Sequence, residues 1–189
     1  MLEKSDVIRL GLGALYHTRA HRALEPASRG LGLIFTLHRV SRAGERGQAG
    51  GFAPNRILEI SDDFLEQTIV RVRERGLDCV SLDEAAKRIA EGDDRRFAVF
   101  TIDDGYKDSR DVAAPVFERH DCPFTVYVAT GLIDRTVNLW WVALEQVIAG
   151  AEHVEADLGE GPVRFTCRTD DEKRATHQAI YWPLRSMDE

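Results

Sequence analysis

Six consecutive strand-forming residues, Phe97-Ala98-Val99-Phe100-Thr101-Ile102, run directly into Asp103-Asp104-Gly105-Tyr106. A run this apolar is expected to be a buried strand, and the acids at its carboxyl end mark where the chain leaves the core for a loop. That edge of an α/β sheet is where sites are built.

The segments on either side repeat the pattern. Leu31 to His38 is a nearly continuous apolar run, which predicts a first core strand buried on both faces. Ser61 can cap a helix that carries Asp62 and Asp63 in its first turn, buries Leu65, Ile69 and Val72, and ends at Gly76. A short strand over 78–82 and a second helix over 83–90 follow, and Gly92-Asp93-Asp94 turns into the acid-tipped strand. Residues 108–120 read as helix despite Pro115, and 123–129 as another apolar strand. Strands alternating with helices predict a parallel sheet with right-handed crossovers.

Outside this frame, residues 5–25 predict a helix that Ser5 caps and Pro26 stops. Val7, Leu10, Ala14, His17, His21 and Leu24 form its seam against the main domain. Four glycines within 41–51 predict a loop, and with no Gly-Lys-Ser/Thr after them they are not a phosphate-binding loop. Beyond Gly131, a helix over 138–150 bearing Trp140 and Trp141, a hairpin around Gly159-Glu160-Gly161-Pro162, and a last helix over 170–184 read as an insertion. The expected domains are an appended helix over 1–30 and an α/β domain over 31–189. That domain is expected to contain an insertion from about 135 to 189 and to stop partway through its fold.

Composition narrows the partners. A chain of 189 residues with 43% hydrophobic and 30% charged residues fits one core, and a net charge of −7 with no basic stripe argues against nucleic acid. Cys79, Cys122 and Cys167 are an odd number, far apart in sequence, and suggest no disulfide framework. With no signal peptide or membrane span legible, a cytoplasmic location is expected.

The acids at the strand end carry the chemistry. Two carboxylates that close repel unless a cation or a shared proton compensates. One solution is a divalent ion held by one acid while the other moves protons, because metal-bound water is acidic near neutral pH. His38, at the end of the first strand, and Tyr106 are candidates to line the same pocket. Trp140 and Trp141 could stack on sugar rings or pack internally.

Thr101-Ile102-Asp103-Asp104-Gly105-Tyr106 resembles the first motif of the NodB-type polysaccharide deacetylases, carbohydrate esterase family 4. Phe35 to Val40, the unit from Phe64 to Leu82, and Pro123 to Ala129 are similar to family landmarks in the same order. The resemblance implies the N-terminal part of a distorted (β/α) barrel. It also implies metal-dependent removal of N-acetyl groups from an amino-sugar polymer or oligosaccharide. The resemblance further implies Asp103 as the general base and Asp104 as a ligand of a divalent ion, zinc by family, with two histidine ligands expected beyond Glu189.

The family's second motif, His-Ser/Thr-x-x-His, does not follow Gly105, where His120, His153 and His177 stand isolated. His17-Thr18-Arg19-Ala20-His21 fits its letters but lies upstream, on the first helix. Two other readings compete: a truncated, non-catalytic deacetylase scaffold, and a magnesium-dependent phosphoryl-transfer enzyme, whose acids more often alternate as Asp-x-Asp.

Overall fold

The computed structural model describes residues 4–20, 22–23, 29–44 and 51–187. Its centre is β5 (Phe97–Ile102), in which all six residues are buried. Side chains alternate along a strand, and β5 uses both faces. Ala98, Phe100 and Ile102 enter one cluster with Leu65, Ile69 and Phe117, whereas Phe97 and Val99 enter another with Val80 and Ala85. The uninterrupted run thus reflects burial on two sides.

Three parallel strands flank it. β1 (Gly32–Leu37) lies along the whole of one edge, pairing Gly32 with Phe97 through Leu37 with Ile102. The other edge is shared. β4 (Asp78–Cys79) pairs with Phe97 and Ala98, and β6 (Phe124–Val126) pairs with Phe100 to Ile102. The result is the expected parallel α/β sheet, but among the described residues it does not close on itself. β1 is a rim strand, so its expected two-sided burial is not seen: Leu33 and Ile34 are more than half exposed. Phe35 still stacks on Phe100, with ring centroids 5.0 Å apart.

The helix after the glycine-rich loop, α2 (Asp62–Glu74), follows its sequence signals. The Ser61 hydroxyl accepts from the Phe64 amide, the acids occupy the first turn, and Leu65, Ile69 and Val72 are buried. α3 (Leu82–Glu91) is capped by Ser81 and closed by Gly92 in the left-handed conformation. Buried Arg88 ties it to β4 through Asp78 at 2.9 Å, and to Glu84 at 3.0 Å. The predicted strand over 78–82 is shorter than expected because Ser81 is spent as this cap.

Pro115 reshapes the helix expected over 108–120. Residues Ser109–Ala113 form a wide turn with bonds five residues apart, and a regular helix, α4 (Ala114–Arg119), starts only there. Proline has no amide to donate to Asp111, so Pro115 suits the first turn of a regular helix better than its interior.

Two features were not expected. A small parallel pair, β2 (Arg39–Ser41) with β3 (Glu59–Ser61), sits beside the main sheet, and a one-turn helix, α5 (Thr130–Ile133), follows β6. The helix, hairpin and last helix expected beyond Gly131 are α6 (Trp140–Gly150), the antiparallel pair β7 (His153–Asp157) and β8 (Pro162–Thr166), and α7 (Asp170–Ser186). A reciprocal Thr169–Glu172 capping box opens α7.

The first helix departs most from expectation. α1 spans Lys4–His17, and Arg19 then adopts a φ of 57°. Its seam is not buried: Val7 is 57% and Leu10 63% exposed. Ile8, Leu12 and Leu15 form a second apolar stripe on another face, so no single side is marked for burial. The side chain of Ser5, with His21, Leu24, Pro26 and residues 45–50 of the glycine-rich loop, lies outside the described residues. No helix among the described residues is long and apolar enough to cross a membrane.

Candidate functional site

The site begins where β5 ends. Asp103 is still held by the sheet, its amide donating to the Leu37 carbonyl at 2.8 Å. Asp104 is the first residue outside it and has a φ of 70°, and Gly105 follows at 69°. Two successive left-handed residues reverse the chain sharply, a conformation that Asp tolerates and Gly adopts freely. Space reinforces the choice of glycine. A β-carbon on Gly105 would meet the Val128 methyl groups at 3.2 and 3.3 Å, so the segment after β6 closes over this turn.

Parallel register brings His38 to the same place. Leu37 pairs with Ile102, so the next residue on each strand is a neighbour at the sheet's carboxyl edge. His38 Nε2 stands 3.9 Å from Asp103 Oδ2, with the two side chains 30% and 35% exposed. This separation is too long for a direct hydrogen bond. It places an imidazole ring and a carboxylate on one half-open patch.

Tyr106 continues the wall. Its hydroxyl accepts from Trp141 Nε1 at 3.4 Å, and the Arg39 guanidinium lies over its ring, 5.1 Å from the centroid. Arg39 Nε also donates to Asp108 Oδ2 at 2.9 Å. Trp141 comes from α6, which is anchored nearby: Asn55 donates its side-chain amide to the Trp141 carbonyl and its backbone amide to Glu145. Trp140 packs internally, against Trp141 and Tyr181.

A cavity of about 210 Å³, lined by His38, Arg39, Ile57, Leu58 and Ile60 among others, opens beside the acid–histidine pair. A second, of about 330 Å³, lies between Arg39, Asn55 and Glu145. The larger hollow of about 580 Å³ sits behind β1 against α2 and does not include Asp103 or His38 in its lining.

Four predicted site residues, His38, Asp103, Asp104 and Tyr106, therefore occupy one end of the sheet. Arg39 and Asp108 were not anticipated. Their only sequence signal was proximity, one beside His38 and the other shortly after Tyr106. The upstream histidine pattern does not contribute: His17 is exposed at the end of α1, and His21 lies outside the described residues. His120 instead pairs with Glu66 at 2.8 Å, and His177 is buried in an aromatic stack with Tyr181.

Among the described residues, no group of three or more His, Cys, Asp and Glu side chains converges to hold a metal. Catalytic zinc ordinarily takes three protein ligands, so the described residues by themselves do not fit such an ion.

No family model matches this chain, and no curated protein matches it. Among solved structures it is similar to a de-N-acetylase from Aggregatibacter actinomycetemcomitans, at 14% identity and a TM-score of 0.45, over 78% of this chain and 51% of that one. It is also similar to the Streptococcus pyogenes deacetylase PplD in complex with acetate, at 21% identity and a TM-score of 0.41, over 69% of this chain and 59% of that one. The chain spans between half and three-fifths of those structures.

Proposed function

We propose that the chain belongs to a hydrolase that removes N-acetyl groups from an amino-sugar polymer or oligosaccharide. The observation that carries this reading is the acid pair Asp103-Asp104 at the carboxyl end of the most buried strand, with His38 3.9 Å from Asp103. Its sequence support is the resemblance of Thr101 to Tyr106 to the first NodB-type motif.

In this reading Asp103 is the general base. Its carboxylate takes a proton from the water whose oxygen bonds to the acetamide carbon, and collapse of that adduct breaks the carbon–nitrogen bond. The products are acetate and a free amine, which takes up a proton on leaving. His38, 3.9 Å from Asp103, lines the same rim, and Tyr106 with Arg39 forms a flat wall suited to a sugar ring. Asp104 is proposed as one ligand of a divalent ion, zinc, with the remaining ligands supplied from outside the described residues. We assign no step to that ion.

The test is acetate release from an N-acetylated chito-oligosaccharide, with and without added zinc and with a chelator. Metal-dependent release supports the proposal. Glycan binding without release, across all metal conditions, would leave the non-catalytic scaffold as the better reading.

A further inference from the structure

We propose that Cys79 and Cys122 form a reversible dithiol–disulfide site. The topology that brings them together is the shared edge of β5. Cys79 is in register with Ala98 at the end of β4, and Cys122 stands two residues before Phe124, the partner of Phe100 in β6. The two cysteines thus flank the point where one strand hands that edge to the other. Cys122 belongs to the main core cluster, and Cys79 packs against it.

Arg73 of α2 fixes the approach. Its guanidinium donates to the carbonyls of His120 at 2.5 Å and Asp121 at 3.1 Å, holding the turn that carries Cys122 against the helix. The two thiols are inequivalent. The Cys122 thiol, as hydrogen-bond donor, pulls the Cys79 thiol down to about 6; burial opposes this, Arg73 assists it, and nearby Asp78 works against it. The same contact, with burial, pushes the Cys122 thiol up, while Arg73 lowers and Asp121 raises it. Cys79 is partly exposed, whereas Cys122 is 5% exposed. One thiolate is reachable, and its buried neighbour keeps its proton.

This arrangement suits a two-step oxidation by a hydroperoxide. The Cys79 thiolate attacks a peroxide oxygen, the O–O bond breaks, and the departing hydroxide takes a proton to become water. The Cys122 sulfur then attacks the resulting sulfenic acid, loses its proton, and expels a second water as the S–S bond forms. With hydrogen peroxide, two thiols and one peroxide give one disulfide and two waters. A dithiol reductant reverses it.

The full chain, reduced and then treated with a small excess of hydrogen peroxide, is blocked with N-ethylmaleimide under denaturing conditions and digested with trypsin. The expected product links the peptide over 76–87 to that over 120–135, with a loss of ~2 Da, and disappears on treatment with dithiothreitol. Cys167, buried and contacting the Thr176 hydroxyl, should carry the maleimide and serves as the internal control. Full labelling of Cys79 and Cys122 after peroxide, a Cys79 sulfinic acid beside a free Cys122, or a disulfide through Cys167 would each overturn the proposal. Cys122→Ala should leave a Cys79 sulfenic acid that dimedone traps. If that variant does not fold, the wild-type peptide map alone decides.

Discussion

His38 Nε2 and Asp103 Oδ2 face each other across 3.9 Å because the strands that deliver them run parallel and in register. The gap accommodates an atom shared by both groups better than a direct bond between them. Neither residue would reach the other if the pairing of β1 with β5 slipped by a single position, since a one-residue slip turns every side chain to the opposite face.

Asp103→Asn tests the base directly. Under the proposed function, acetate release should fall by ~100-fold to ~10,000-fold, the usual worth of a positioned general base. The amide should leave the fold intact, so the urea midpoint serves as the control. Retained turnover would remove Asp103 from the chemistry.

Gly105→Ala should destabilise the protein by about 1–2 kcal/mol, because the residue sits at a φ of 69° and a β-carbon would press on Val128. Urea unfolding at unchanged slope measures this. An unchanged midpoint would mean that the turn relaxes freely, and the acids would then lack a fixed base.

Phe100→Ala should cost about 3–5 kcal/mol. Phe100 is fully buried, stacks on Phe35 and meets Phe117 edge-on at 5.4 Å, so the variant opens a cavity where three elements meet. A loss below 1 kcal/mol in the same unfolding experiment would contradict this account of the core.

His177 gives a pH prediction. Burial holds its pKa below the ordinary value, partly offset by Glu145, and its Nε2 has no hydrogen-bond partner among the described residues. A histidine with a depressed folded pKa binds protons more readily when unfolded. Its contribution to stability is therefore complete above about 6.5 and is lost as pH falls from there toward the folded value. His177→Phe, which keeps an aromatic ring beside Tyr181 and Phe52, should flatten the decline of the urea midpoint in that acid range. Identical slopes in both proteins would show that other groups control it.

What could be read in advance was local. β5 and α2 were legible because burial, caps and turn residues are written within a dozen positions of one another, and the acids stood out at the end of an unbroken apolar run. The β2–β3 pair was not legible. Arg39-Val40-Ser41 and Glu59-Ile60-Ser61 are three residues each, with one apolar position apiece, and find each other only across a loop. The contact between Cys79 and Cys122 and the lid of Arg39 over Tyr106 failed for the same reason, since sheet topology and not sequence distance makes them neighbours. The buried seam expected of α1 was a periodicity without a partner surface among the described residues.

The left-handed backbone at Asp104 and Gly105 has one further implication. Main-chain geometry there is dictated by the folded core, so under the proposed function a substrate would meet carboxylates whose carrier segment has already surrendered its conformational freedom. Less ordering remains to be done at the moment of encounter.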